Sequence, residues 1–158
     1  MSSQLRFERS LVLIKPDAIQ RGLAGEIISR VEKRGLKIVA TRMLQMDAAL
    51  AQRHYAIHKD RIFFHELVSF ITSSPVIAIV FQGKNGIEII RQTMGDTDPA
   101  KAKPGTIRGD FGLDIAHNVI HGSDSVESAL KEIDLFFTPK EIVDYQRDID
   151  KWITGEDF

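Results

Sequence analysis

The sequence predicts an α+β fold: a four-stranded antiparallel sheet with helices packed on it and a long loop before the last strand. Two observations carry this. Apolar runs of strand length fall near residues 10–15, 36–46, 76–81 and 116–120, and stretches with apolar residues at helical spacing lie between them. A third, the size of the chain, bounds the answer. With 158 residues, 43% of them apolar, one globular domain over residues 1–158 can bury a sizeable core.

Each element has its own justification. Ser10 to Ile14 is an apolar run buried on both faces, closed by Lys15-Pro16-Asp17 because proline cannot continue a ladder. From about Ala24 to Arg34, Ile27, Ile28 and Val31 recur at helical spacing and Gly35 is a left-handed stop. Leu36 to Met46 alternates as a half-buried strand. Asp47 caps a short helix carrying Leu50, His54 and Tyr55, and a further helix from about Asp60 carries Phe63, Phe64, Leu67 and Ile71. Val76 to Phe81 is an unbroken apolar run suited to a central strand, and Asn85 is placed to cap the helix through Ile87, Ile90 and Met94. The stretch from Gly95 to Gly112 has four glycines and two prolines and reads as a functional loop. Ala116 to Ile120 forms the fourth strand; Ser123, Asp124 and Ser125 offer capping oxygens, with Asp124 and Glu127 at capping-box spacing, for the helix with Val126, Ala129, Leu130, Ile133 and Phe137. Thr138-Pro139-Lys140-Glu141 opens a last short helix. Without its insertions this order is a split βαββαβ, ferredoxin-like plan, with helices on one face of the sheet. Many functions share that fold, so it identifies none.

Composition excludes several classes. Lysine and arginine total 21 against 22 aspartates and glutamates, which argues against a general nucleic-acid or membrane surface and leaves any anion site to be built locally. No cysteine is present, so disulfides and thiolate zinc sites are out. Met1 to Arg9 lacks the apolar core of a signal peptide, and a cytoplasmic location is expected.

The most informative stretch is Asn118-Val119-Ile120-His121-Gly122-Ser123-Asp124-Ser125, where an apolar run ends on a histidine at a helix start. A neutral imidazole there could attack an electrophile or take a proton, and Gly122 would leave room beside it for a bulky group. Taken alone, the stretch is more simply a corner with a surface histidine. Asn118 and His121 are three apart, so both address one cleft only if the strand twists or ends at His121. Glu132, seven residues after Ser125, shares the start-facing side of the next helix and could accept a proton from one ring nitrogen, leaving the other nucleophilic. No Walker A or dinucleotide glycine pattern occurs, so phosphate binding would need side chains. Candidates are Lys15 at a strand end, Arg61, Arg91 at a helix end, and Thr97 and Arg108 in the loop, where flanking glycines and prolines would hold a guanidinium in place. Each singly is a surface charge; the reading requires them to converge. Tyr55 could offer its hydroxyl to an anion, and one of Phe63 and Phe64 could stack on a planar base. His54 and His58 lie at i, i+4, yet no third ligand has zinc-site spacing.

The motifs Lys15-Pro16-Asp17-Ala18, Arg61-Ile62-Phe63-Phe64, Lys103-Pro104-Gly105-Thr106-Ile107-Arg108-Gly109-Asp110-Phe111 and Asn118 to Ser125 resemble those of nucleoside diphosphate kinases, in family order from about Ser10 to Trp152. Ile62 stands where relatives commonly carry proline. The resemblance implies that His121 takes the γ-phosphoryl of a nucleoside triphosphate on Nδ1 and passes it to a nucleoside diphosphate, a ping-pong exchange. It further implies that Glu132 holds the other ring nitrogen, that Lys15 and Tyr55 act near the transferred group, and that Asn118 helps bind the sugar. Arg61, Arg91, Thr97 and Arg108 would bind phosphates, with His58 near the α-phosphate and Phe63 stacked on the base opposite Ile115. Mg2+ would be carried by the nucleotide phosphates, with no metal held by the protein. The expected partners are nucleoside tri- and diphosphates and further copies of the chain, a hexamer rather than a tetramer from the Pro99 loop and the tail beyond Trp152. Neither a membrane nor a nucleic acid is expected as a partner.

Overall fold

The computed structural model describes residues 7–155. Four strands, β1 (Phe7–Ile14), β2 (Lys37–Leu44), β3 (Val76–Lys84) and β4 (Ile120–Gly122), form one antiparallel sheet in the order β2-β3-β1-β4. The two central strands are the most buried, with runs of buried residues from Ser10 to Ile14 and from Ala78 to Phe81. β1 and β3 pair along their length, from Phe7 opposite Lys84 to Ile14 opposite Ile77. Along β1 the pleat sends Leu11 and Leu13 into one core and Val12 and Ile14 into the other, all four fully buried.

Helices cover both faces, not one. α1 (Pro16–Gln20), α2 (Ala24–Lys33), α5 (Gly86–Met94) and α6 (Ile107–Phe111) pack Ala18, Ile27, Ile90, Met94 and Ile107 on the Val12 side. On the Leu11 side, α3 (Ala48–His54), α4 (Phe64–Ile71) and α7 (Val126–Phe136) contribute Ala51, Phe64, Ile71, Ile133 and Phe136. The helices inserted between β2 and β3, together with the one after β4, fold back over the face that the simple plan leaves open. A short α8 (Asp150–Ile153) follows, and no helix among the described residues is long and apolar enough to cross a membrane.

Local chemistry explains most boundaries. Pro16 sits at the start of α1 and stops β1, Asp47 accepts the Leu50 amide at 2.8 Å to cap α3, and Glu141 accepts both the amide and hydroxyl of Thr138. Four expectations are corrected. Asn85 does not cap α5: it adopts φ 52°, and the carboxylate of Glu8 accepts the Ile87 amide at 3.1 Å instead. Of Ser123, Asp124 and Ser125 it is Ser125 that caps α7, accepting the Ser128 amide at 3.0 Å, in place of the Asp124–Glu127 box. α4 begins at Phe64, not Asp60, which leaves Phe63 half exposed at 44% while Phe64 enters the core. β2 alternates only as far as a register shift between Ile38 and Ala40, after which Val39 and Ala40 are both buried.

The last strand differs most. Residues 116–119 are not strand; Val119 takes φ 65°, a left-handed conformation costly for a β-branched residue, and is fully buried. Two contacts from the end of β1 hold it: its amide donates to Asp17 at 3.1 Å and its carbonyl accepts from the Lys15 amide at 3.0 Å. β4 then runs through His121 to Gly122. The reversal at Val119 breaks the pleat between Asn118 and His121, which is the twist their three-residue spacing demands.

Candidate active site

Two hydrogen-bonded groups of side chains meet where β1 ends beside β4. The first begins with Lys15, the residue between β1 and α1. Its ammonium donates to Asn118 Oδ1 at 2.7 Å, and Asn118 Nδ2 in turn donates to the Thr97 carbonyl at 3.0 Å. Lys15 and Asn118 are 9% and 3% exposed, so the ammonium is nearly dry. Burial first, and repulsion from Arg108 second, bring its pKa down to about 8, against a smaller opposing pull from Asp17.

Arg108 completes this group from α6, a short helix inside the stretch read as a loop. Thr106 caps it by accepting the Gly109 amide at 3.0 Å. Arg108 reaches back across the corner: Nε donates to the Asn118 carbonyl at 3.3 Å, Nη1 to that of Gly95 at 3.2 Å and Nη2 to that of Ile120 at 2.7 Å. Burial, then repulsion from Arg91, lowers its pKa to about 10, so it stays charged at neutral pH. Gly109 serves close approach more than freedom of rotation, since a Cβ there would overlap the Lys103 carbonyl. Gly109→Ala is expected to destabilise the protein by about 1–3 kcal/mol, seen as a lower urea midpoint with an unchanged m-value.

The second group centres on His121. Its Nε2 lies 3.0 Å from Glu132 Oε1, across from α7, and Glu132 Oε2 accepts from the Ser123 hydroxyl at 2.6 Å. Ser123 is fully buried and its oxygen also accepts the Leu11 amide at 3.1 Å, so the carboxylate is fixed to the central strand. Nδ1 of His121 forms no hydrogen bond among the described residues. His121 and Glu132 side chains are 22% and 16% exposed. Gly122 does not open space for a ligand as expected; a Cβ there would press on Met94 and Ile90, so it lets β4 approach α5.

His54 joins the groups and is the residue that sequence reasoning missed. Its ring stands edge-on to His121 and to Tyr55, with centroids 4.7 Å apart in each case. Burial first, then the charges of His121, Lys15 and His58, holds its pKa well below the usual histidine range. The Tyr55 hydroxyl is buried without a hydrogen-bond partner among the described residues, and its pKa is pushed up to about 12, by burial and then by Glu132. From Tyr55 the rings step outward to His58, 6.4 Å away, and on to the half-exposed Phe63, 5.7 Å from His58. Arg61, Arg91, Thr97 and Ile115 are exposed, and their side chains add no hydrogen bond to the cluster among the described residues. A hollow of about 930 Å³ near the starts of α5 and α7 includes Arg91 but not Lys15, Asn118 or His121.

A family profile described as Nucleoside diphosphate kinase matches residues 8–142. The chain belongs to the nucleoside diphosphate kinase family. It is 55% identical over 148 residues to a nucleoside diphosphate kinase of Thermomicrobium roseum, covering 94% of this chain and 99% of that one. The nucleoside diphosphate kinase of Archaeoglobus fulgidus is 53% identical over 149 residues, covering 94% and 99%. Among solved structures, a halophilic nucleoside diphosphate kinase from Halobacterium salinarum in complex with CDP superposes with a TM-score of 0.92 at 49% identity, covering 94% of this chain and 99% of that one. As a nucleoside diphosphate kinase this protein is an enzyme and acts on nucleotides.

Proposed function

We propose that this nucleoside diphosphate kinase works by ping-pong exchange through phosphohistidine at His121. The observation that carries the proposal is the pairing of Nε2 with Glu132 at 3.0 Å, with the carboxylate itself anchored by Ser123. With the proton held on Nε2, the lone pair of Nδ1 attacks the γ-phosphorus and the bond to the β-phosphate oxygen breaks, releasing a nucleoside diphosphate. A second diphosphate attacks the phosphohistidine and regenerates the imidazole. Glu132 stabilises the imidazolium character that develops during both steps.

The other residues fit supporting parts. Lys15 supplies charge and the Tyr55 hydroxyl a donor for the transferring group, and Asn118 helps bind the sugar. Arg61, Arg91, Thr97 and Arg108 fit the phosphates, with His58 near the α-phosphate. Phe63 stacks on the base and Ile115 faces it. Stacking without reading base edges accounts for broad nucleotide acceptance. The solved relative from H. salinarum holds CDP, which supports a nucleotide in the corresponding cleft. Mg2+ enters on the nucleotide and offsets phosphate charge when bound. Among the described residues the cluster of potential metal ligands has two imidazoles and one carboxylate, a set that does not suit Mg2+, so phosphates and water supply its oxygens. The assembly is a homo-oligomer, hexameric rather than tetrameric, a reading supported by the Pro99 loop.

The test is to incubate the protein with magnesium and γ-labelled ATP, look for acid-labile, base-stable protein label, then add a nucleoside diphosphate. No label, or label that survives His121→Ala, defeats the reading; label that never transfers indicates another phosphoenzyme.

Lys15 gives a pH dependence whose sign follows from its lowered pKa of about 8. Below that value it is charged and favours phosphate; kcat/KM for the free enzyme is expected to fall as pH rises through about 8. Lys15→Arg, which stays charged, should flatten that limb. Stability runs the opposite way: between about 8 and the ordinary 10.5 the unfolded chain binds more protons, so unfolding free energy should rise with pH. Paired pH profiles of turnover and urea denaturation check both signs.

A further inference from the structure

Behind the His121–Glu132 pair stands an imidazole with no task in the exchange just described. His54 is 9% exposed, and neither of its ring nitrogens has a hydrogen-bond partner among the described residues. Buried polar atoms are ordinarily paired, so two orphaned nitrogens on one ring mark a place where something else binds. One nitrogen of His54, one of His121 and one carboxylate oxygen of Glu132 lie within 4.8 Å of one another. We propose that His54, His121 and Glu132 form a binding site for a borderline transition-metal ion, zinc(II) in the first instance, and that an ion there shuts off phosphoryl transfer.

The donor set decides the class of ion. Two imidazole nitrogens and one carboxylate oxygen, with a fourth position left for water, are the protein ligands of open tetrahedral zinc sites. An ion about 2.1 Å from each ligand needs them about 3.4 Å apart. His121 and Glu132, at 3.0 Å, are already that close, and His54, within 4.8 Å of both, has to close by up to about 1.4 Å, within reach of a side-chain rotation. Glu132 is oriented for the task because Ser123 occupies its Oε2, leaving Oε1 turned to the histidine. Mg2+ does not compete, since it prefers an octahedron of oxygens. The magnesium on the substrate and an ion at this site are therefore distinct.

The inhibitory consequence rests on the proposed role of His121, while binding itself does not. An ion on His121 takes an imidazole lone pair, draws electron density from the ring and takes Glu132 away from its hydrogen bond. The same ring then does not accept a phosphoryl group. Phosphorylated His121 should in turn exclude the ion.

The experiment uses tag-free, metal-free full-length protein without nucleotide. Co2+ is titrated as a spectroscopic probe, followed by Zn2+ with calorimetry. The expected result is one ion per chain, visible absorption bands of tetrahedral Co2+, and their loss when Zn2+ displaces it. His54→Gln and Glu132→Gln should each weaken Zn2+ binding at least about 100-fold, the upper end of what changes outside the ligand set cause. His117→Gln, an exposed histidine packed on Phe70, should leave affinity unchanged. Two substitutions on separate helices keep the answer available if one variant fails to fold. Octahedral Co2+ spectra, or affinity that neither substitution lowers, overturns the site. Pre-loading with γ-labelled ATP and magnesium should abolish Co2+ binding; undiminished binding to labelled protein overturns the exclusion. Failure to label at all bears on the kinase mechanism, and the nucleotide-free titration still decides the metal site.

Discussion

His121→Ala is expected to lower kcat/KM for phosphoryl exchange by roughly 10⁵-fold, the scale on which loss of a nucleophile removes covalent catalysis. Stability should change little, by about 1 kcal/mol or less, because the side chain is partly exposed and Glu132 keeps its bond from Ser123. The contrast between the two readouts is the informative part. A coupled exchange assay beside thermal denataturation would record near-complete loss of turnover in a folded protein. Activity within tenfold of the parent would mean that the phosphoryl carrier is elsewhere.

Arg108→Ala should damage both properties together. Its guanidinium ties the carbonyl of Gly95, at the end of α5, to those of Asn118 and Ile120, on either side of the Val119 reversal. Removing it takes a donor from each of these carbonyls, of which that of Asn118 keeps the Ile120 amide, in a site where the arginine was 6% exposed, at a cost of about 2–4 kcal/mol. Nucleotide affinity should fall as well, since the corner that carries Asn118 loses its brace. Arg108→Lys should rescue little, because one ammonium cannot span three divergent carbonyls. Urea denaturation and equilibrium nucleotide binding on both variants test this; full rescue by lysine would show that charge alone matters there.

Much of the fold was legible because it depends on local pattern. The apolar runs marked β1 and β3, Pro16 marked the end of β1, and Asp47 marked the start of α3. The pairing of Glu132 with His121 was also readable from helix geometry, because the capping serine sets the phase of α7. What escaped depends on residues distant in sequence. Glu8 caps a helix 79 residues away, a partnership that no window along the chain contains. The short α6 lay hidden among glycines and prolines because Thr106 and a close backbone contact make it, not apolar periodicity. His54 read as one member of an unconvincing metal pair with His58, whereas the relevant partners are on β4 and α7. The second helical layer was missed because the split plan says nothing of where inserted helices fold back.

Val119 has a consequence for how the enzyme tolerates heat. Its left-handed backbone stores about 1–3 kcal/mol that the surrounding structure must supply. Val119 itself gives one amide to Asp17 and has one carbonyl held by the Lys15 amide, while Arg108 braces the carbonyls of Asn118 and Ile120 on either side. The long ladder between β1 and β3 lends this peptide unit no hydrogen bond of its own. Warming is therefore expected to loosen this corner, and with it the alignment of Asn118 and His121, before the sheet melts, so that activity is lost below the midpoint of thermal unfolding.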